Sequence, residues 1–157
     1  MKRHIVLGLL LSAVAVPAAT AETAPAAVTY EEGAIAQSLT GAAGDPAEGA
    51  KVMSNRALGN CVACHAVSAM PDVAFQGNVG PSLDGAADRW EEAQLRGIVS
   101  DAKMTFDGTV MPSFYKTGPY IRPGDAFTGN AAEGELPPML TAQQIEDVVA
   151  YLLTLKE

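Results

Sequence analysis

Cys61, Cys64 and His65 stand together in the run Cys61-Val62-Ala63-Cys64-His65, and no other short segment of this sequence gathers as much chemistry. Two thiols separated by two residues, with an imidazole next to the second, form the attachment sequence of c-type haem. Each thiol adds across a haem vinyl group to make a thioether, and the two-residue gap matches the separation of the vinyls on a helical turn. The adjacent histidine then lies beneath the iron and supplies the proximal nitrogen. A thioredoxin-like Cys-x-x-Cys needs a βαβ pattern, and none is visible. A zinc site needs further Cys or His ligands, and none remain once the leader is removed.

That leader is residues 1–21. Lys2, Arg3 and His4 make a basic start, Ile5 to Val16 an apolar run, and Ala19-Thr20-Ala21 a small-x-small cleavage site before Glu22. This is the pattern of a secretory signal peptide, and the run is too short for the ~20 residues that span a bilayer. No later segment is apolar enough to cross a membrane. Cleavage removes two bases and no acid, which takes the net charge from −8 to −10 and leaves His65 as the only histidine. A periplasmic location suits the motif, since c-type haem is attached outside the cytoplasm. The acidic balance, ten bases against eighteen acids, excludes a nucleic-acid binder. A content of 48% hydrophobic and 18% charged residues excludes a disordered or fibrous chain.

With one histidine, the second axial ligand of the iron falls to methionine. Met53 lies inside a predicted helix, Met70 is too close to the attachment turn to reach the opposite haem face, and Met104 at a helix end reads as core. Met111, followed by Pro112 after a glycine-containing loop, is the preferred ligand; Met139, just ahead of the last helix, is the second choice, and an open iron the third. A thioether is a soft neutral donor that favours ferrous iron. An iron closed on both sides leaves no position for substrate, which points to electron transfer.

The elements that must position these residues read as helices. Asp45 as N-cap, Pro46 and Glu48 open one expected to run to about Ala57. Asp88 and Glu91 suggest a capping box before a helix carrying Leu95, Ile98 and Val99. Thr141 and Gln144 form another, before Ile145, Val148, Val149, Leu152 and Leu153 at helical spacing. Residues 22–44 read as an N-terminal arm, free or packed on a partner, with one weak helix over Tyr30 to Leu39 whose Ile35, Ser38 and Leu39 share a face. Residues 45–157 read as a single all-α domain whose Gly- and Pro-rich loops, 71–85 and 112–138, need a large apolar group to close around.

Over residues 45–157 the sequence resembles the monohaem class I cytochromes c. The helix with Gly49, the Cys61-to-His65 motif, Gly80-Pro81, Met111-Pro112 and the terminal helix with Tyr151 occur in that family's order. The resemblance implies the class I cytochrome c fold, one covalent haem c, and a close crossing of the first and last helices at Gly49 and Tyr151. It also implies that the Pro81 carbonyl accepts a hydrogen bond from His65 Nδ1. More narrowly, Gly59-Asn60, Gly77 to Leu83, Val110 to Tyr115 and Leu140 to Leu152 are similar to the SoxX family, the small cytochrome subunits of thiosulfate-oxidising SoxAX complexes. That narrower resemblance implies a heterodimer with a SoxA-like monohaem or dihaem cytochrome. Such a complex conjugates thiosulfate to a cysteine of the SoxYZ carrier, with release of two electrons to a soluble cytochrome c. The sulfur chemistry would belong to the partner, because this chain has no cysteine beyond Cys61 and Cys64 and no catalytic residue of its own.

Overall fold

The computed structural model describes residues 21–121, 130–132 and 134–157, so the expected leader lies outside it but for Ala21. Among the described residues four α-helices form: α1 (Pro46–Ser54), α2 (Ala86–Arg89), α3 (Glu92–Asp101) and α4 (Ala142–Leu152). Short 3₁₀ turns lie at Pro25–Ala27, Cys61–Ala63 and Ala102–Met104, and no strand forms among the described residues.

The helix ends follow local chemistry. The Asp45 side chain accepts from the backbone N–H groups of Ala47 and Glu48 to open α1. The helix stops three residues earlier than its apolar pattern suggests, because the Asn55 side chain turns back to accept from Ala57 N at 2.9 Å. Thr141 and Gln144 close the expected capping box on α4. The box expected from Asp88 and Glu91 is corrected. Asp88 lies inside α2 and accepts from Glu157 N at 2.8 Å, whereas Glu91 caps α3 with Gln94 as its partner at 2.9 Å. The extended Trp90 between them separates the two helices.

α1 and α4 make the main helix crossing. Gly49 is required there, since a Cβ on it would overlap the Asp147 carbonyl and crowd Tyr151 Cβ at 3.0 Å. The Asp147 side chain completes the crossing by accepting from Asp45 N at 2.9 Å. Below it lie Val52, Met53, Ile145, Val148, Val149 and Leu152 in one apolar core with Leu95 and Val99 of α3.

The helix expected over Tyr30 to Leu39 does not form. Glu32 and Gly33 both adopt positive φ, 49° and 83°, and make a two-residue turn in which Glu31 and Ala34 exchange hydrogen bonds at 2.9 Å. Ile35 and Leu39 are nevertheless buried, because the segment is held by other elements instead of by itself. Ile35 N donates to Ala93 O at 2.9 Å, and Leu39 N to Glu146 Oε1 at 2.6 Å. Arg96, only 3% exposed, joins this contact to both helices. Its Nε donates to the two Glu146 oxygens at 3.0 and 3.1 Å, one Nη to Ile35 O at 3.0 Å, and the other to Glu92. Residues 22–44 therefore lie along the domain, fastened to α3 and α4.

Candidate functional site

The site begins at Asn60, whose left-handed backbone (φ 47°) turns the chain into the Cys61–Ala63 turn. Asparagine tolerates that conformation through its short polar side chain. Cys64 N and His65 N both donate to Cys61 O at 3.0 Å, so both thiols and the imidazole are carried on a single turn. Neither cysteine is in a disulfide. Burial pushes the Cys61 thiol up to about 11, the opposite of the activated thiolate in a redox Cys-x-x-Cys.

The loop after this turn folds back along it. Gly77 N bonds Val62 O at 2.8 Å, Gly80 N bonds Cys64 O at 2.8 Å, and Leu83 N bonds Ala66 O at 2.9 Å. This pairing sets Pro81 O 2.7 Å from His65 Nδ1, the contact the family order leads one to expect. A carbonyl can only accept, so Nδ1 carries the proton and the ring is held by its back edge. Gly77 and Gly80 permit the approach: a Cβ on the first would overlap the Ala63 carbonyl, and on the second the imidazole itself.

Three polar residues that belong to no motif keep the loop in place. The Gln76 amide accepts from Val67 N at 2.6 Å and donates to Met70 O at 2.7 Å, closing the bend between them. Asp84 accepts from Ser68 N at 2.8 Å, Ser68 Oγ at 2.7 Å and Ser82 Oγ at 2.9 Å, and these bonds hold its carboxyl below the usual carboxylate range. Arg89 reaches back to the carbonyls of Asp84 at 2.6 Å and Ser82 at 3.0 Å. Their only sequence signal is a polar side chain inside a Gly- and Pro-rich stretch.

The methionines separate by environment. Met53 and Met70 are buried in the core. Met104, expected in the core, is corrected to a half-exposed position like that of Met139, because the chain leaves α3 through the turn at Ala102–Met104 and carries the side chain outward. Met111 is part-buried and packs against the core. Its segment is pinned to the end of α3: Lys103 Nζ donates to Met111 O, and Ser113 Oγ to Asp101 Oδ1 at 2.6 Å. Val79 and Val110, next to Gly80 and Met111, are exposed apolar residues.

The model of the cytochrome c family matches residues 46–156. The chain belongs to the cytochrome c family. A solved structure, the crystal structure of SoxXA from P. pantotrophus, is 63% identical, with a TM-score of 0.85 over 87% of this chain and 100% of that one. No curated protein is significantly similar to the chain. The molecule is thus a SoxX-like monohaem cytochrome c with the all-α cytochrome c fold, an electron-transfer protein that carries covalent haem c. The donor set fits that group: two unpaired thiols and an imidazole on one turn, with a glycine where any side chain would strike the ring. No helix among the described residues is long and apolar enough to cross a membrane.

Proposed function

We propose that this cytochrome is the electron-accepting subunit of a periplasmic complex with a SoxA-like haem protein. That complex would join thiosulfate oxidatively to a cysteine of a SoxYZ-like carrier and pass the electrons to a soluble cytochrome c. The observation that carries the reading is the 63% identity to SoxXA, which extends over the whole of the matched chain.

Bound haem c supplies a one-electron ferric/ferrous couple. Cys61 and Cys64 would hold it through thioethers, and His65 would supply an imidazole nitrogen to the iron. The Pro81 carbonyl fixes the imidazole tautomer and makes the ring a better donor. Met111 would supply the second ligand to the iron, a reading supported by its part-buried side chain and its pinned segment, whereas Met139 is half-exposed. Met111 and His65 together would leave no position for an exogenous ligand, which keeps the site to electron transfer. Both cysteines are committed to attachment, so no thiol of this chain is left to hold a sulfur intermediate.

Purification of the native protein under mild conditions should yield a stable heterodimer with a second haem protein, read by native mass and haem stain. Recovery as a monomeric haem protein would instead identify a free-standing electron shuttle.

A further inference from the structure

Residues 22–44 lie outside the segment matched by the cytochrome c family model, which begins at residue 46. They are nevertheless joined to the domain at both of their ends. At the far end, Ile35 and Leu39 are fastened to α3 and α4 through Ala93, Arg96 and Glu146. At the near end, Thr23 N donates to Leu39 O at 2.8 Å, which folds the start of the segment onto its own anchored part.

The start of the segment also holds Tyr115, four residues beyond Met111. Tyr115 is almost fully buried, and its hydroxyl donates to Thr23 O at 2.7 Å with Glu22 Oε1 at 3.0 Å. Burial and the Glu22 carboxylate push its phenol well above the ordinary range, so it stays a donor. On its other side Tyr115 N donates to Ser100 O of α3 at 2.9 Å. Tyr115 is therefore a clasp between α3 and the N-terminal segment. Thr105 N and Phe106 N donate to Ala102 O at 3.1 and 2.8 Å, and Lys103 and the Ser113–Asp101 bond tie Met111 to the end of α3, so the lightly held part is short: Gly108 has a positive φ of 70° and open space around it, and Val110 is exposed. Loops of this kind open locally at low cost, and the ties at their ends set how often.

We propose that residues 22–39 form a strap whose hold on Tyr115 keeps the Met111 segment closed on the iron. Glu22, Thr23 and Tyr115 are then positioning residues for the distal ligand. The proposal rests on Met111 as that ligand.

The test uses the mature haem-loaded protein and reads three quantities: the rate of carbon monoxide binding to the ferrous form, the temperature at which the iron–sulfur charge-transfer band fades, and the global unfolding midpoint. Tyr115→Phe removes the hydroxyl and keeps the ring. It should raise the carbon monoxide rate about fivefold, the equivalent of one net hydrogen bond in the open fraction. The band should fade well below the temperature of global unfolding. Thr23→Pro, which removes the N–H to Leu39 and leaves Tyr115 intact, should do the same. Tyr120→Phe, whose hydroxyl donates to the nearby Lys116 carbonyl at 2.6 Å and makes no bond to residues 22–39, should behave as wild type. If Tyr115→Phe and Thr23→Pro bind carbon monoxide at the wild-type rate, or lose the band only on global unfolding, while Met111→Ala abolishes it, the strap is wrong and the ligand stands. If Met111→Ala keeps the band, the ligand assignment fails and the strap proposal falls with it.

Discussion

Replacing Met111 with alanine will leave the haem covalently bound and abolish the iron–sulfur charge-transfer band. The turn that carries Cys61, Cys64 and His65 is built from residues 60–83, whose hydrogen bonds do not involve the Met111 segment. Attachment and distal ligation are therefore separable. Without the thioether sulfur, the ferrous iron should bind carbon monoxide readily. Its reduction potential should fall by on the order of 0.1 V or more, within the range of roughly 0.8 V that axial ligands command. Absorption spectra of purified Met111→Ala and Met139→Ala decide the matter. Loss of the band in the Met139 variant alone would transfer the ligand role to Met139.

Glu146→Ala should be strongly destabilising, costing about 3–5 kcal/mol, because it strands a buried guanidinium. Arg96 and Glu146 are 3% and 4% exposed, and Glu146 accepts from Arg96 Nε and from Leu39 N. Truncation leaves Arg96 with the Ile35 carbonyl and Glu92, and takes from Leu39 N the carboxylate it bonds. Replacing both partners, as in Arg96→Met with Glu146→Leu, removes the stranded charge and should recover most of that loss. Denaturant midpoints of the three haem-loaded proteins test this. A loss below about 1 kcal/mol for Glu146→Ala would show the pair to be solvated, as surface ion pairs are.

The attachment site was legible because its chemistry is contiguous: two thiols and an imidazole within five residues admit few alternatives. Pro81 was legible only through the resemblance to the class I cytochromes c; the loop paired bond by bond with the attachment turn, which sets its contact with His65, has no contiguous signal of its own. The Arg96–Glu146 pair was not, because an arginine and a glutamate fifty positions apart look like two surface charges until the fold buries them together. The Tyr30–Leu39 segment misled for a physical reason. Ile35 and Leu39 fit helical spacing, but burial requires only that each apolar side chain meet the core. A left-handed pair at Glu32 and Gly33 achieves that without a helix. Met104 was misplaced because a helix end fixes where the backbone goes, not which way the following turn carries its side chains.

The most direct test of the central claim is rapid-mixing absorption of this chain's haem on addition of thiosulfate together with the carrier protein. In the proposed heterodimer this chain's haem should pass from ferric to ferrous as the carrier cysteine is conjugated, while the isolated chain under the same conditions stays ferric. Carrier conjugation at full rate with this haem remaining ferric, and with no requirement for an added electron acceptor, would contradict the account.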